Sequence, residues 1–188
     1  MESTKPQYEY MKDYELQVEV IEEAGYKSAM YGISLNKDQL PENMPKVANT
    51  LSTKDYGHNK FLEHIMVWMV VRAPRYVWQE MDTFRLSSKN SQSTMHTILK
   101  NELTPKNFEC EEITESYLKE LNKILQSNQL VKLKRKVPEG FMQKRMWMMS
   151  YKTLRNLIIQ RKHHRLPHWP YFISELQKQL KNPELLPF

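Results

Sequence analysis

The spacing of apolar side chains divides the first half of the chain into strands and helices. Residues 14–21 alternate between apolar and polar side chains, which predicts a strand that ends before Gly25. Helices are predicted over 26–35 and 44–51, with a loop between them. Residues 63–73 are β-branched and apolar on both faces along most of their length, which is typical of a central strand rather than an edge strand.

The second half of the chain has mainly helical patterns. Pro74 closes the apolar strand, and a helix is predicted over 75–84. Residues 86–97 are polar and rich in hydroxyl groups without periodicity, which predicts a loop of the kind that carries binding groups. The remaining predictions are a helix over 114–125, a basic connector over 131–140, and helices over 151–166 and 169–180.

These elements predict one α+β domain that spans residues 1–188. The 188 residues are 40% hydrophobic and 27% charged, a globular balance that is sufficient to bury a core. The longest apolar run, Ile65 to Val71, is far shorter than the roughly twenty residues that a membrane-spanning helix needs. The N-terminus has no apolar signal core, and Cys110 is the only cysteine, so we expect a cytoplasmic protein without a membrane partner.

Motifs for metal binding, phosphate loops and thiol catalysis are missing from the sequence. His163 and His164 are adjacent, so on a helix their side chains lie about 100° apart, without a carboxylate or thiolate at ligand spacing. The 4 glycines are spread over the chain and form no phosphate-binding loop. No feature that would activate the thiol flanks Cys110. We therefore predict no metal site and no cysteine nucleophile.

The positive charge of the chain favours an anionic partner. The formal net charge is +6, and basic residues cluster over 132–136 and 152–165. One hypothesis from these residues is a nucleic-acid-binding protein that uses 132–136 and 161–165, although no DNA-reading motif accompanies them. Solvated faces of amphipathic helices would give the same pattern, so charge alone does not decide between a nucleotide, a nucleic acid and no ligand.

A first block of sequence, residues 57–96, resembles the flavin-dependent thymidylate synthase family, often called ThyX. Its sequence is GHNKFLEHIMVWMVVRAPRYVWQEMDTFRLSSKNSQSTMH. As in that family, a Gly-His pair at 57–58 and a Glu-His pair at 63–64 precede a strand. A serine, Ser93, follows Arg85 by eight positions, which is the spacing of the family's arginine and serine.

A second block, residues 137–166, resembles the C-terminal region of the same family. Its sequence is VPEGFMQKRMWMMSYKTLRNLIIQRKHHRL. In this block Lys152, Asn156 and Arg161 have the spacing of a family helix of the form N-x-R-x-L-x-N-x-x-x-x-R. The two blocks agree with the family in order and separation, and together they cover about seventy residues.

The resemblance implies a fold, a chemistry and an assembly. Members of the family are α+β proteins with helices packed on a central, mostly antiparallel sheet, and they are homotetramers whose sites are shared between chains. They use FAD, dUMP, methylenetetrahydrofolate and NADPH to make dTMP without a cysteine nucleophile. By resemblance, we expect a protein that binds a flavin and a pyrimidine nucleotide, with altered or weak thymidylate synthase activity.

The resemblance also implies roles for individual residues. Bound phosphates require positive charge and hydrogen-bond donors, which several of these side chains provide. Arg85 and Ser93 are the implied catalytic residues and also belong to the implied substrate-binding set. The implied substrate-binding set is Glu80, Arg85, Ser93, Lys134 and Arg161, and the implied FAD-binding set is His58, Glu63, Lys152 and Asn156.

Departures from the family pattern support a second hypothesis. Thr83 and Phe84 replace an arginine and a histidine, and Glu80 replaces a glutamine with an acid that would repel a phosphate. Each lost charge-assisted phosphate contact is worth about 1.5–3 kcal/mol. The alternative is therefore a non-catalytic nucleotide-binding or protein-interaction module on the same scaffold, which leaves open whether the protein is an enzyme. The other departures are Ser91, Met95, His96, Ser150 and Lys152.

Overall fold

A computed structural model describes residues 16–109 and 113–188. The first residues of the strand predicted over 14–21, and Cys110, lie outside the described residues. The helices and strands are β1 (Gln17–Ala24), α1 (Tyr26–Leu35), α2 (Pro45–Ser52), β2 (Met66–Pro74), α3 (Arg75–Met81), β3 (Ser87–Ser91), α4 (Thr94–Thr97), α5 (Glu115–Gln126), α6 (Leu130–Lys136), β4 (Met142–Ser150), α7 (Tyr151–Arg161) and α8 (His168–Gln179). Short 3-10 turns occupy Pro41–Asn43, Lys60–His64, Pro105–Asn107 and Pro183–Leu185.

The four strands form an antiparallel sheet in the order β1-β2-β4-β3. The apolar strand β2 is central, as the sequence predicts, with Met69 opposite Val20 of β1 and Trp147 of β4. Its side chains alternate between buried and half-buried, because the helices pack on only one face, and Trp68 and Val70 lie on the other.

The main core lies between the covered face of the sheet and the helices α3, α7 and α8. Its centre is aromatic: Trp147 stacks on Phe172 with ring centroids 5.9 Å apart, and Trp78 meets Trp147 edge-on at 6.0 Å. Tyr151, the first residue of α7, is fully buried and donates a hydrogen bond to the Glu23 carboxylate. Burial raises the pKa of Tyr151 far above that of a free tyrosine.

A second hydrophobic cluster lies around α5 and α6. The buried Asn122 amide accepts from the Leu103 amide at 2.9 Å and donates to its carbonyl at 2.9 Å, so the loop before α5 is fixed to that helix. Phe108 and Phe141 form a short antiparallel bridge beside the main sheet. The apolar members of the cluster are Ile98, Leu103, Phe108, Leu121, Ile124, Leu133, Val137 and Phe141.

Several sequence predictions differ from the structure. The loop predicted over 86–97 contains the edge strand β3, and the connector predicted over 131–140 contains most of α6. The strand β4 has no counterpart among the predictions. The sequence of β3 is polar. The strand is attached to β4 by backbone hydrogen bonds rather than by apolar side chains, so an apolar pattern does not reveal it. The helices predicted over 75–84 and 151–166 end earlier, at Met81 and Arg161.

The glycine between β1 and α1 has a backbone conformation and surroundings that a residue with a side chain could adopt only with strain. Gly25 has a φ of +94°, and a Cβ there would lie 1.8 Å from the carbonyl oxygen of His64. We expect Gly25→Ala to lower the free energy of unfolding by roughly 2 kcal/mol or more in chemical denaturation. Gly32→Ala is the control, since its Cβ meets no atom within 4 Å and should stabilise α1 by about 0.5–1 kcal/mol. Equal losses in both variants would contradict this interpretation.

Candidate functional site

The first turn of α7 meets the 3-10 turn that precedes β2. The Lys152 ammonium donates a hydrogen bond to the side-chain oxygen of Asn59, which is fully buried. The Asn59 amide in turn donates to the Lys54 carbonyl. This chain of contacts places the cation of α7 beside the segment that carries His58 and Glu63.

Two cavities open on this segment. The larger has a volume of about 490 Å³ and is lined by Glu63 and Lys152, with apolar walls from Met66 and Met148. The smaller, of about 180 Å³, lies between α1, α2 and the turn, and His58 and Glu63 line it. Glu63 therefore belongs to both cavities, and three of the four residues implied to bind FAD lie together.

Asn156, the fourth residue of that set, lies one helical turn after Lys152. It is exposed, whereas its neighbours Arg155 and Leu157 are buried. A separation of four residues places the side chains of Lys152 and Asn156 on one side of α7. Asn156 therefore shares one side of α7 with Lys152, while His58 and Glu63 lie on the segment before β2.

Arg161 ends α7 and lies against two aromatic rings that also contact each other. Its guanidinium carbon is 5.3 Å from the centre of the Trp169 ring and 5.6 Å from that of Phe84. Glu80 is next to this group, because its carboxylate accepts a hydrogen bond from the Trp169 indole at 2.7 Å. Glu80 and Phe84 thus form one cluster with Arg161, which is distant from both in sequence.

Arg85 is exposed on the turn between α3 and β3, directly after Phe84. Lys89 holds this turn from β3, since its ammonium donates to the Phe84 carbonyl at 3.3 Å and to the Ser87 hydroxyl at 3.2 Å. Burial lowers the pKa of Lys89, and the Asp82 carboxylate at 3.8 Å opposes that shift. The turn that presents Arg85 is thereby fixed near Arg161.

Lys134 lines a third cavity, and Ser93 is next in sequence to another residue of its lining. Ser93 precedes the short helix α4, and the next residue, Thr94, lines a cavity of about 180 Å³ together with Lys134 and Arg75. The described lining of this cavity includes neither Arg85 nor Arg161. The residues implied to bind the substrate therefore fall into two groups on one chain.

Sequence reasoning missed four side chains that hold these groups in place. Asn59 fixes Lys152, and Trp169 contacts Arg161. Arg145 lies over the Trp78 ring at 4.4 Å and donates to both oxygens of Asp82 at 3.0 Å. The fourth side chain is Lys89. None of these pairings follows a fixed sequence spacing, so no motif identifies them.

Metal-ligand clusters and membrane-spanning helices are both absent from residues 16–109 and 113–188. No group of three or more His, Cys, Asp or Glu side chains in these ranges is arranged to hold a metal ion. None of their helices has the length and apolar character needed to cross a bilayer.

Comparisons with known proteins identify relatives of the chain. Residues 8–172 match the family described as thymidylate synthase complementing protein, Thy1. The flavin-dependent thymidylate synthase ThyX from Helicobacter pylori, complexed with FAD and dUMP, has a similar fold, with a TM-score of 0.77 and 16% sequence identity. That match covers 90% of this chain and 97% of the other. A second structure of the Helicobacter pylori protein with FAD and dUMP gives a TM-score of 0.75 at 16% identity, covering 89% and 94%.

The comparison of folds confirms the predicted α+β class, with helices on an antiparallel sheet. No curated protein matches the chain.

Lys89 provides a test of how the turn before β3 is held. Lys89→Met removes the donor to the Phe84 carbonyl and one of the two cations beside Asp82, so we expect the free energy of unfolding to fall by about 1–3 kcal/mol. Lys144→Met is the control, because Lys144 is exposed on the neighbouring strand and should change stability by less than about 0.5 kcal/mol. Chemical denaturation of both variants measures the difference, and equal stability of the two would refute the role of Lys89.

Proposed function

This chain belongs to the thymidylate synthase complementing protein (ThyX) family, and from that premise we propose that it is a flavin-dependent thymidylate synthase-like protein that binds FAD and dUMP. The solved relatives from Helicobacter pylori hold both molecules, and their fold extends over most of this chain. The observation that carries the proposal is that members of both implied sets lie on one helix, with Lys152 and Asn156 early in α7 and Arg161 at its end.

The larger cavity fits the chemistry of a flavin. Met66 and Met148 offer apolar surface to a planar ring, while Lys152 and the hydroxyl of Ser88 offer a charge and a donor to a diphosphate. We assign His58 and Glu63 to the same cofactor, from the turn beside this cavity. When bound, FAD supplies the redox chemistry of the reaction, and the residues of this chain bind and orient it.

The nucleotide requires cations for its phosphate. Arg161 and Lys134 provide them from two groups, and Arg85 and Ser93 are proposed to contact dUMP and to act in catalysis. Methylenetetrahydrofolate and NADPH are the proposed co-substrates, which supply the carbon unit and the reducing equivalents, and a cytoplasmic location suits this metabolism.

We propose that the sites form between the subunits of a homotetramer. Because the cavity of Lys134 includes neither Arg85 nor Arg161, a second copy would bring the two groups together around one nucleotide. The half-buried sheet face supports self-association, since it presents apolar side chains without a helix over them. These side chains are Met66, Trp68, Val70, Met146 and Met148.

The departures from the family pattern weaken the site without dismantling it. Phe84, in the place of a histidine, packs edge-on against Trp169 at 5.7 Å and leaves Arg161 ordered. Thr83 is exposed and bonds to the Glu80 carbonyl. We therefore propose altered or weak activity, and the non-catalytic alternative gains no support from the family match.

Calorimetry with dUMP on the FAD-loaded protein tests the proposal. Arg161→Met should weaken dUMP binding roughly 10- to 100-fold, because it removes charge-assisted hydrogen bonds worth about 1.5–3 kcal/mol. Arg165→Met is the matched control, since Arg165 is exposed four residues later. Release of tritium from C5-labelled dUMP, with both co-substrates present, separates turnover from binding. The proposal would be refuted if dUMP gave no heat of binding with the wild type, or if the two variants lost equal affinity for dUMP.

A further inference from the structure

Glu80 has a hydrogen-bonding partner within the protein. Its Oε2 atom accepts from the Trp169 indole at 2.7 Å, which joins the last turn of α3 to the start of α8. Trp169 is fully buried, so its N–H group requires an acceptor from the protein. A charged acceptor makes this hydrogen bond stronger than one to a neutral group.

His164 completes the surroundings of the carboxylate. The Nδ1 atom of His164 accepts from the Leu166 amide at 3.2 Å, so the proton of the neutral ring is on Nε2. That nitrogen faces Glu80 Oε2 at 3.7 Å, and the imidazole meets the Trp169 ring edge-on at 6.4 Å. The Glu80 carboxylate therefore has both the Trp169 indole and the His164 imidazole as neighbours.

Trp169 in turn determines the surroundings of Arg161. The guanidinium lies within the range of a cation–π interaction with both Trp169 and Phe84, and tryptophan is the strongest aromatic partner. The Nε atom of Arg161 is buried and has no acceptor among the residues that the structure describes. The two rings, rather than a carboxylate, therefore hold the orientation of this cation.

We propose that Glu80 is a positioning residue, which acts through the Trp169 indole to set the orientation of Arg161 for the nucleotide phosphate. The proposal rests on the proposed function, and it replaces the direct substrate contact that the resemblance implies for Glu80. It also accounts for an acid so close to a phosphate-binding arginine. The Oε2 atom of the carboxylate is occupied by the indole N–H group. Through this hydrogen bond the negative charge makes the Trp169 ring more electron-rich, and that ring faces the Arg161 guanidinium.

Three variants separate positioning from direct contact. Glu80→Leu removes the acceptor, Glu80→Gln retains an acceptor oxygen without the charge, and Trp169→Phe retains a ring without the N–H group. We expect Glu80→Leu and Trp169→Phe each to weaken dUMP binding to the FAD-loaded protein about tenfold. Glu80→Gln should recover the affinity that Glu80→Leu loses. In the double variant Glu80→Leu/Trp169→Phe, the loss should match that of either single variant.

Nitrogen-15 NMR spectra of the indole and arginine side chains test the positioning role in the protein without bound nucleotide. We expect Glu80→Leu to shift the Trp169 indole signal, assigned by its absence in Trp169→Phe, and also the Arg161 Nε–H signal, assigned by Arg161→Lys. An Arg161 signal that is unchanged in Glu80→Leu would overturn the proposal. Additive losses of dUMP affinity in the double variant would do so too, because Glu80 would then act without Trp169.

The two proposals fail in different ways. If the wild-type protein does not bind dUMP, the proposed function fails, and the Arg161 signal alone decides whether Glu80 positions it. If dUMP binds and Glu80→Gln weakens binding as much as Glu80→Leu while Trp169→Phe leaves it unchanged, Glu80 contacts the nucleotide directly. In that case the proposed function stands and the positioning role is wrong.

Discussion

The anchoring of α7 is the constraint on which the candidate site depends. Its first amide, on Tyr151, donates to the Ile65 carbonyl at 2.7 Å, and the Ser150 hydroxyl caps the helix by accepting from the Thr153 amide. Serine is a good N-cap, so the departure at this position retains a helix start. Lys152 and Arg161 are then about 13 Å apart along the axis, at about 1.5 Å per residue.

A buried arginine fixes the same helix from its other side. Arg155 donates from Nε to the Ser52 carbonyl at 2.9 Å and forms an ion pair with Asp55 at 3.1 Å. Because a buried cation is stable only when it is paired and hydrogen-bonded, these contacts tie α7 to the end of α2. The segment that follows α2 carries Asn59 and Glu63, so the same ion pair brings the two sides of the proposed flavin cavity together.

The sequence predicts the parts of this arrangement whose signals are local. The apolar run of β2, the spacing of α5 and the helical pattern of α7 all identify their elements. The apolar pattern does not identify β4 because Lys144 and Arg145 interrupt it, although the Arg145 guanidinium packs over the Trp78 ring. α6 was missed because its basic residues conceal a single buried position, Leu133.

The candidate site is predictable from the sequence only as separate residues. The resemblance names Glu63 and Lys152, yet the buried Asn59 that brings the cation to the turn lies 93 residues from Lys152 and belongs to no motif. Glu80 and Trp169 are 89 residues apart, and only the fold brings them into contact. Spacing along a chain therefore identifies which side chains carry the chemistry, while tertiary contacts determine which of them act together.

The central claim is that the first turn of α7 and the turn before β2 hold a flavin. The most direct test is the visible absorption spectrum of the protein after incubation with FAD and removal of free cofactor by gel filtration. We predict the bands of oxidised flavin at about one flavin per chain, with most of that absorbance lost in Lys152→Met. A wild-type protein that remains colourless while folded would contradict the account.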